Sequence, residues 1–380
     1  MRRLIVLLSL SLLPLAFAAP ARAQALASEN QPDLTIDAAT RRAVVDTLCD
    51  RIERHYVFPD RARTASKAIR KRMSAHDYDR ITSAADFADT LTVQLQAVVH
   101  DVHLRVHYRH DPIPAVVDDD APLPEAEQRR IQERGRYTNY GFEHLERLPG
   151  NVGYLDLQQF SGDPAGQATA VAAMTMLSNT DALILDLRRN GGGSPMMIAT
   201  ILTYFTTADD RLLFNTFYQR EGDKTEEYWT SPYVPGTRYL GKPLFVLTSN
   251  RTASAAEEFA YDVQTHKLGT VVGAVTRGGA NPGRLYRLND HFAAFIATGR
   301  AINPVTKTNW EGVGVKPDSL TKAGEALRAA YSMALRKLID GVKDDPDRLD
   351  SLKRSLEAAA QRPLDPEEDF QRPQRRRPTG

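Results

Sequence analysis

The residue of this chain best placed for chemistry is a serine at the point where an apolar strand gives way to a helix. In KPLFVLTSNRTASAAEEFAYDV, residues 242–263, the run 243–248 is short, β-branched and aromatic and predicts a buried strand. Residues 253–263 carry Ala, Phe259 and Val263 at helical spacing, and SNRT between the two is a turn composition. Ser254 would then hold its hydroxyl at the mouth of a sheet with its backbone at a helix N-terminus, which suits a nucleophile. A second reading stands beside it. Ser254 followed by Glu257 is also a capping box, the commonest reason for a serine at a helix start.

Acyl transfer needs more than a nucleophile: a base, a group that orients the base, and donors for a developing oxyanion. Glycines 191–193 of RRNGGGSP can supply donors. They follow the strand-like ALILDL and precede a helix with Ser194 as cap and Pro195 at its first position, so N–H groups and the helix's positive end can converge. A tight strand-to-helix turn would have the same composition. A phosphate loop is disfavoured because no Gly-Lys-Ser/Thr follows. A base could come from HDVHLRVHYRH, residues 100–110, where Leu104, Val106 and Tyr108 alternate with His103, Arg105 and His107 and predict a strand with a polar face. His100, His103, His107 and His110 invite a metal. Only His103 and His107 would share a face, however, and no carboxylate at ligand spacing completes a set. No metal and no cofactor is expected.

The elements that must position these residues follow from periodicity. Helices are predicted over 38–57, through Val44, Val45, Leu48, Ile52 and Tyr56 with Pro59 as stop, over 61–75, and from the Ser83/Asp86 cap signal through Phe87, Leu91, Leu95 and Val98. The Pro- and charge-rich stretch 112–137 reads as an exposed linker with one short helix. Strands at 152–157, ALILDL, near 211–218, 243–248 and GTVVGAVT, with helices between, indicate layered α/β packing, and GRLYRL with HFAAFIAT predicts a hairpin. Two helices are expected between 321 and 361, and a disordered tail after Arg362.

At 380 residues, 42% hydrophobic and 26% charged, the composition is that of an ordinary globular protein with room for two or three domains. The opening MRRLIVLLSLSLLPLAFAAPARAQ has two arginines, a short apolar run and a small-x-small ending at Ala21 and Ala23, which reads as a secretory signal cut after Ala23; a retained anchor is the alternative. Cleavage would remove Arg2, Arg3 and Arg22 and take the formal charge from +1 to −2, which gives no reason to expect a nucleic-acid partner. No other stretch is apolar enough to span a bilayer, so an exported, periplasmic or secreted, protein is expected. Cys49 is the only cysteine, which rules out an intrachain disulfide, and it lies in an apolar row as a small buried hydrophobe.

Four motifs in register, ALILDLRRNGGGSP, TSNRTASAAEEFA, VVGAVTRGGANPG and GRAINPVTKTNWEGVGVKPD, resemble the carboxyl-terminal processing serine peptidases. The branch they most resemble is that of the tricorn protease core and interphotoreceptor retinoid-binding protein. The resemblance covers about residues 150–320, and 38–110 looks like that branch's N-terminal domain. It implies an α/β, crotonase-like (ββα) peptidase core over 141–320. Around the core, the patterning gives a helical domain over 24–110, a linker over 111–140, C-terminal helices over 321–362 and a tail over 363–380. The resemblance also implies roles: Ser254 as nucleophile, Gly193 and Ala255 as oxyanion donors, His103 as base and Glu311 as its acid. The dyad branch places a Lys base in a "GK" step, but RGGANPG has Gly279 there, so a Ser/Lys dyad is not expected. Some members carry Ser directly before the His, where Val102 stands here. The chemistry is coherent, since imidazole accepts a proton near neutral pH and a carboxylate fixes its tautomer. The expected function is an exported endopeptidase acting on peptides or unfolded protein tails. The alternatives are a non-catalytic binder of apolar ligands or peptides on the same scaffold, or an esterase. Oligomeric state is not legible in the sequence.

Overall fold

The structure is a computed structural model and describes residues 31–113 and 125–371. Its first three helices are α1 (Ala38–His55), α2 (Pro59–Ser74) and α3 (Ala84–Val99). Asp37 caps α1 by accepting from Thr40 N–H at 2.8 Å, and Ser83 caps α3 by accepting from Asp86 N–H at 3.0 Å. Pro59, read from sequence as a stop, is the first residue of α2, where its missing N–H costs nothing. Val44, Val45, Leu48 and Ile52 of α1 meet Phe87, Leu91 and Leu95 of α3 in one core. That core is not closed by helices alone. Strand β1 (Arg105–Tyr108) pairs antiparallel with β10 (Phe292–Ala297), which pairs with β9 (Gly283–Arg287), and Phe292, Ala294 and Ile296 complete the packing. The helical segment and the later hairpin therefore share one interior.

Helix α4 (Glu125–Tyr137) leads into the main sheet. This comprises β2 (Phe142–Leu148), β3 (Val152–Leu157), β4 (Ala182–Asp186), β7 (Leu244–Thr248), β8 (Thr270–Gly273) and β12 (Ser319–Leu320). Its order is β12-β8-β7-β4-β3-β2, parallel throughout except for the β2–β3 pair. Every residue of β3, β4 and β7 is buried, as a sheet covered on both faces requires. The two-residue alternation sorts the faces. Leu183, Leu185 and Val246 point to the core under α5 (Pro164–Leu177), α6 (Pro195–Thr203) and α7 (Ala255–Thr265). Ala182, Ile184, Phe245 and Leu247 point to α8 (Ala326–Gly341) and α9 (Pro346–Ala360). A second antiparallel sheet has the order β11-β5-β6, from β11 (Gly299–Ile302), β5 (Leu213–Gln219) and β6 (Lys224–Trp229). Strand β6, KTEEYW, is mostly exposed and polar at a sheet edge, so no apolar alternation announces it.

One expectation changes. The tail is not loose from residue 363: Asp365 pairs with Arg188 at 2.8 Å, and the Phe370 ring, 4% exposed, lies 4.2 Å beneath the Arg188 guanidinium, a single buried anchor that composition does not reveal. The proposed signal, residues 1–23, and the last residues of the tail lie outside the described residues. Among those described, no helix is long and apolar enough to cross a membrane.

Candidate active site

The turn carrying Ser254 is latched to the end of β4. Ser249 Oγ donates to Arg188 O at 2.5 Å, Thr252 Oγ1 to Leu187 O at 2.8 Å, and Ala253 N–H to Asn190 O at 3.1 Å. Arg188 is itself held by the buried Asp186, Nε to Oδ1 at 2.9 Å. The outcome for Ser254 is φ +54° and ψ −124°. An ordinary cap sits in the extended region, whereas positive φ in a residue with a Cβ is strained and persists only where its surroundings impose it. The capping-box pairing persists beside this strain, with the Glu257 carboxylate accepting from Ser254 N–H at 2.8 Å. The backbone is that of a sharp strand-to-helix elbow.

Glycines pack against this elbow. A Cβ on Gly192 would stand 2.8 Å from Ser254 Cβ and 3.1 Å from Ala255 N, and one on Gly193 would stand 1.9 Å from Phe160 O. Side chains are excluded at both positions. Asn190, fully buried, fixes the loop by donating to Leu157 O at 2.8 Å and accepting from Gly192 N–H at 2.8 Å. Among the described residues, neither Gly193 N–H nor Ala255 N–H donates a hydrogen bond, so both remain available to a ligand oxygen.

His103 lies in the turn before β1 and not on the strand, so the expected shared face with His107 does not arise. The turn forms because Asp101 Oδ1 accepts from His103 N–H at 2.9 Å and Leu104 N–H at 3.3 Å. The His103 ring rests on Gly279, where a Cβ would stand 2.7 Å from Cε1 and 3.0 Å from Nε2. Gly279 also links to the elbow through Glu257. Its N–H donates to Glu257 Oε2 at 2.9 Å, the same oxygen that takes Ser254 N–H, and its carbonyl accepts from Trp310 Nε1 at 3.0 Å. The imidazole fills the space any side chain at 279 would need, including a lysine. Glu257, 0% exposed, also accepts from Thr276 Oγ1 and Gly278 N–H, each at 2.6 Å, and is a structural hub.

Glu311 reaches the same place from the far end of the chain. It accepts from Ala280 N–H at 2.6 Å, Asn281 N–H at 2.9 Å and Val102 N–H at 3.3 Å. Ligand-type atoms of Asp101, His103 and Glu311 all lie within 4.8 Å of one another. The expectation that no carboxylate completes a ligand set with the histidines is therefore corrected, since Asp101, from two residues upstream, joins the expected Glu311 beside His103. Their oxygens already take N–H and O–H donors, an arrangement suited to proton handling more than to a cation. Among the described residues no hydrogen bond joins His103 to Ser254 or to Glu311, and His103 Nδ1 is buried without a partner. Burial, and next the charge of Asp101, push the Glu311 carboxyl up to about 8. Burial pulls His103 down to about 4, against the opposing pull of Asp101, with Arg277 and Arg105 adding to the lowering. Sequence reasoning missed Asp101, although Asp two residues before a histidine at a predicted strand start is a recognisable turn signal.

A strained serine, unspent backbone donors and an imidazole are groups that acyl transfer could use, and comparison with known proteins shows what the chain is similar to. It carries domains of peptidase family S41: residues 151–321 match that family, and residues 34–134 match the N-terminal domain of Peptidase_S41 in eukaryotic IRBP. Carboxyl-terminal-processing peptidase 1 of Arabidopsis thaliana chloroplasts is 26% identical over 183 residues, 48% of this chain and 36% of the relative. The carboxy-terminal-processing protease of Bartonella bacilliformis is 26% identical over 176 residues, 45% of this chain and 39% of the relative. The matches thus span little more than a third of those relatives. A solved structure from Parabacteroides merdae, assigned there as a peptidase, superposes with a TM-score of 0.51 at 20% identity, covering 77% of this chain and 92% of that one, and shares the mixed α/β fold.

Proposed function

We propose that this chain hydrolyses peptide bonds in peptides or unfolded protein tails through an acyl-enzyme. Ser254 Oγ gives its proton to His103 and attacks the substrate carbonyl carbon, while Gly193 N–H and Ala255 N–H hold the oxyanion. His103 then gives the proton to the departing amine, and water, activated by the same imidazole, releases the acid. Glu311 orients the imidazole from a crotonase-like core. The single observation that carries this reading is the Ser254 backbone at φ +54° and ψ −124° against the glycine loop, a strain that a helix cap does not need. Unmade hydrogen bonds at His103 agree with it, because catalytic contacts commonly tighten only when substrate binds. An amino-terminal signal over residues 1–23 would deliver the enzyme outside the cytoplasm.

The test is turnover of unfolded polypeptides and of simple esters by the folded enzyme, beside Ser254→Ala and His103→Ala. Peptide cleavage lost in both variants is expected. Folded enzyme that cleaves esters but no peptide would make it an esterase. Cleavage of neither, with saturable binding of peptides or apolar ligands, would make it a binding protein on a peptidase scaffold.

A further inference from the structure

The catalytic centre holds one carboxylate more than acyl transfer through a Ser, His and Glu requires. Asp101 is 1% exposed and takes four donors: His103 N–H at 2.9 Å, Leu104 N–H at 3.3 Å, Tyr56 Oη–H at 3.0 Å and Asn281 Nδ2–H at 3.4 Å. Those donors come from the histidine's own turn, from the end of α1 and from the loop that also binds Glu311. Asp101 therefore ties the base to both the helical segment and the core. A carboxylate needed only to shape the 101–104 turn would be satisfied by the two N–H groups on one oxygen. Here the second oxygen is also held, and the group is kept within 4.8 Å of both the imidazole and Glu311.

Two carboxyls that close repel one another as anions, and burial together with the charge of Asp101 raises Glu311 to about 8. Glu311 takes three N–H bonds, whereas Asp101 takes four donors, and it is the charge of Asp101 that acts on both neighbours. The other groups facing the imidazole are Arg105 from β1 and Arg277 from the loop after β8, both cationic, and the Phe295 ring of β10 at 5.8 Å between centroids. Tyr56, with Arg61 of α2 near it, stands behind Asp101. Without Asp101 the imidazolium formed during the reaction would face two guanidinium groups and a protonated acid.

We infer that Asp101 is a positioning residue of this site: it fixes the His103 turn and supplies the negative charge that stabilises the imidazolium, a task Glu311 does not perform alone. This rests on the peptidase reading for its consequence, but its electrostatic content can be tested without turnover. In a Ser254→Ala background, the His103 imidazole is titrated by NMR, alone and with Asp101→Asn or Glu311→Gln. Asp101→Asn keeps an acceptor for the turn. It is expected to lower the His103 midpoint by about one pH unit, and Glu311→Gln by clearly less. In the active enzyme, Asp101→Asn should lower kcat about tenfold with KM within about twofold, and the acid limb of kcat/KM should move down in step. An unchanged His103 midpoint in Asp101→Asn overturns the inference. So does a larger fall in Glu311→Gln, or lost kcat with an unmoved acid limb. If Asp101→Asn does not fold, the Glu311→Gln titration still decides, because a fall of about one unit there assigns the charge to Glu311. A wild-type enzyme that turns over no peptide while the titrations behave as expected would sink the proposed function and leave this inference standing.

Discussion

Gly279→Ala is the perturbation whose effect can be worked most directly from the geometry. The added methyl would stand 2.7 Å from His103 Cε1 and 3.0 Å from Nε2, whereas ordinary contact begins at 3.4 Å, so the ring must retreat by about 0.7 Å. The backbone at 279 is not in the left-handed region, so alanine is acceptable there in itself. Misplacing a catalytic group by about 1 Å can cost about 100-fold, so a kcat loss of about 10- to 100-fold is expected. Overpacking adds a stability cost of about 1–2 kcal/mol, small because an imidazole can swing where backbone cannot. The assay is steady-state peptide hydrolysis with a thermal melt on the same samples. Gly341→Ala, at the end of α8 with no atom within 4 Å of the added carbon, serves as control and should leave kcat unchanged. Gly279→Ala with wild-type kcat/KM would refute the claim that the imidazole over Gly279 is the working base.

Three further outcomes are expected. Gly193→Ala puts a methyl 1.9 Å from Phe160 O at φ +143°, and should cut kcat by about 100-fold or more and lower the melting temperature, checked by kinetics and calorimetry. On α7, burial pushes Glu258 up to about 7 and holds Asp262 well above the carboxylate range, where the charge of Glu258 adds to the effect. A carboxyl raised in the folded state gives stability that is whole below its unfolded value of 4.5 and lost as pH rises through about 7, a contribution of roughly 3 kcal/mol. Melting temperature should therefore fall between pH 5 and 8, and less steeply in Glu258→Gln, which keeps an acceptor for Asn215; parallel curves would contradict this. Finally, EDTA should leave turnover unchanged, and a loss restored by zinc or manganese would show that the Asp101, His103 and Glu311 cluster holds a cation.

Much of the frame was legible because its signals are local. The apolar run at 244–248, the cap at Ser83, and the glycines before Pro195 each have a short-range cause. The Ser254 turn was legible as a junction, but two readings of it were open, and only the backbone angles separate a cap from an elbow. His103 was misplaced on a strand because Leu104, Val106 and Tyr108 do alternate, while the Asp101 side chain captures the two N–H groups that a strand would have used. Asp101 and Asp262 escaped notice for a common reason. A lone Asp in sequence looks solvated, and only long-range partners such as Tyr56, Asn281 and Asn303 show otherwise. The sharing of one core between α1, α3 and β10 was hidden in the same way, since the pieces are far apart in the chain.

The central claim is that a hydroxyl at the elbow is made nucleophilic by the imidazole lying on Gly279. Its most direct measurement is the intact mass of the protein after reaction with a fluorophosphonate, with the adduct mapped by peptide fragmentation. One adduct per chain on Ser254 is expected, absent in Ser254→Ala and forming about 100-fold or more slowly in His103→Ala. An adduct elsewhere, none at all on folded protein, or an undiminished rate in His103→Ala would contradict it.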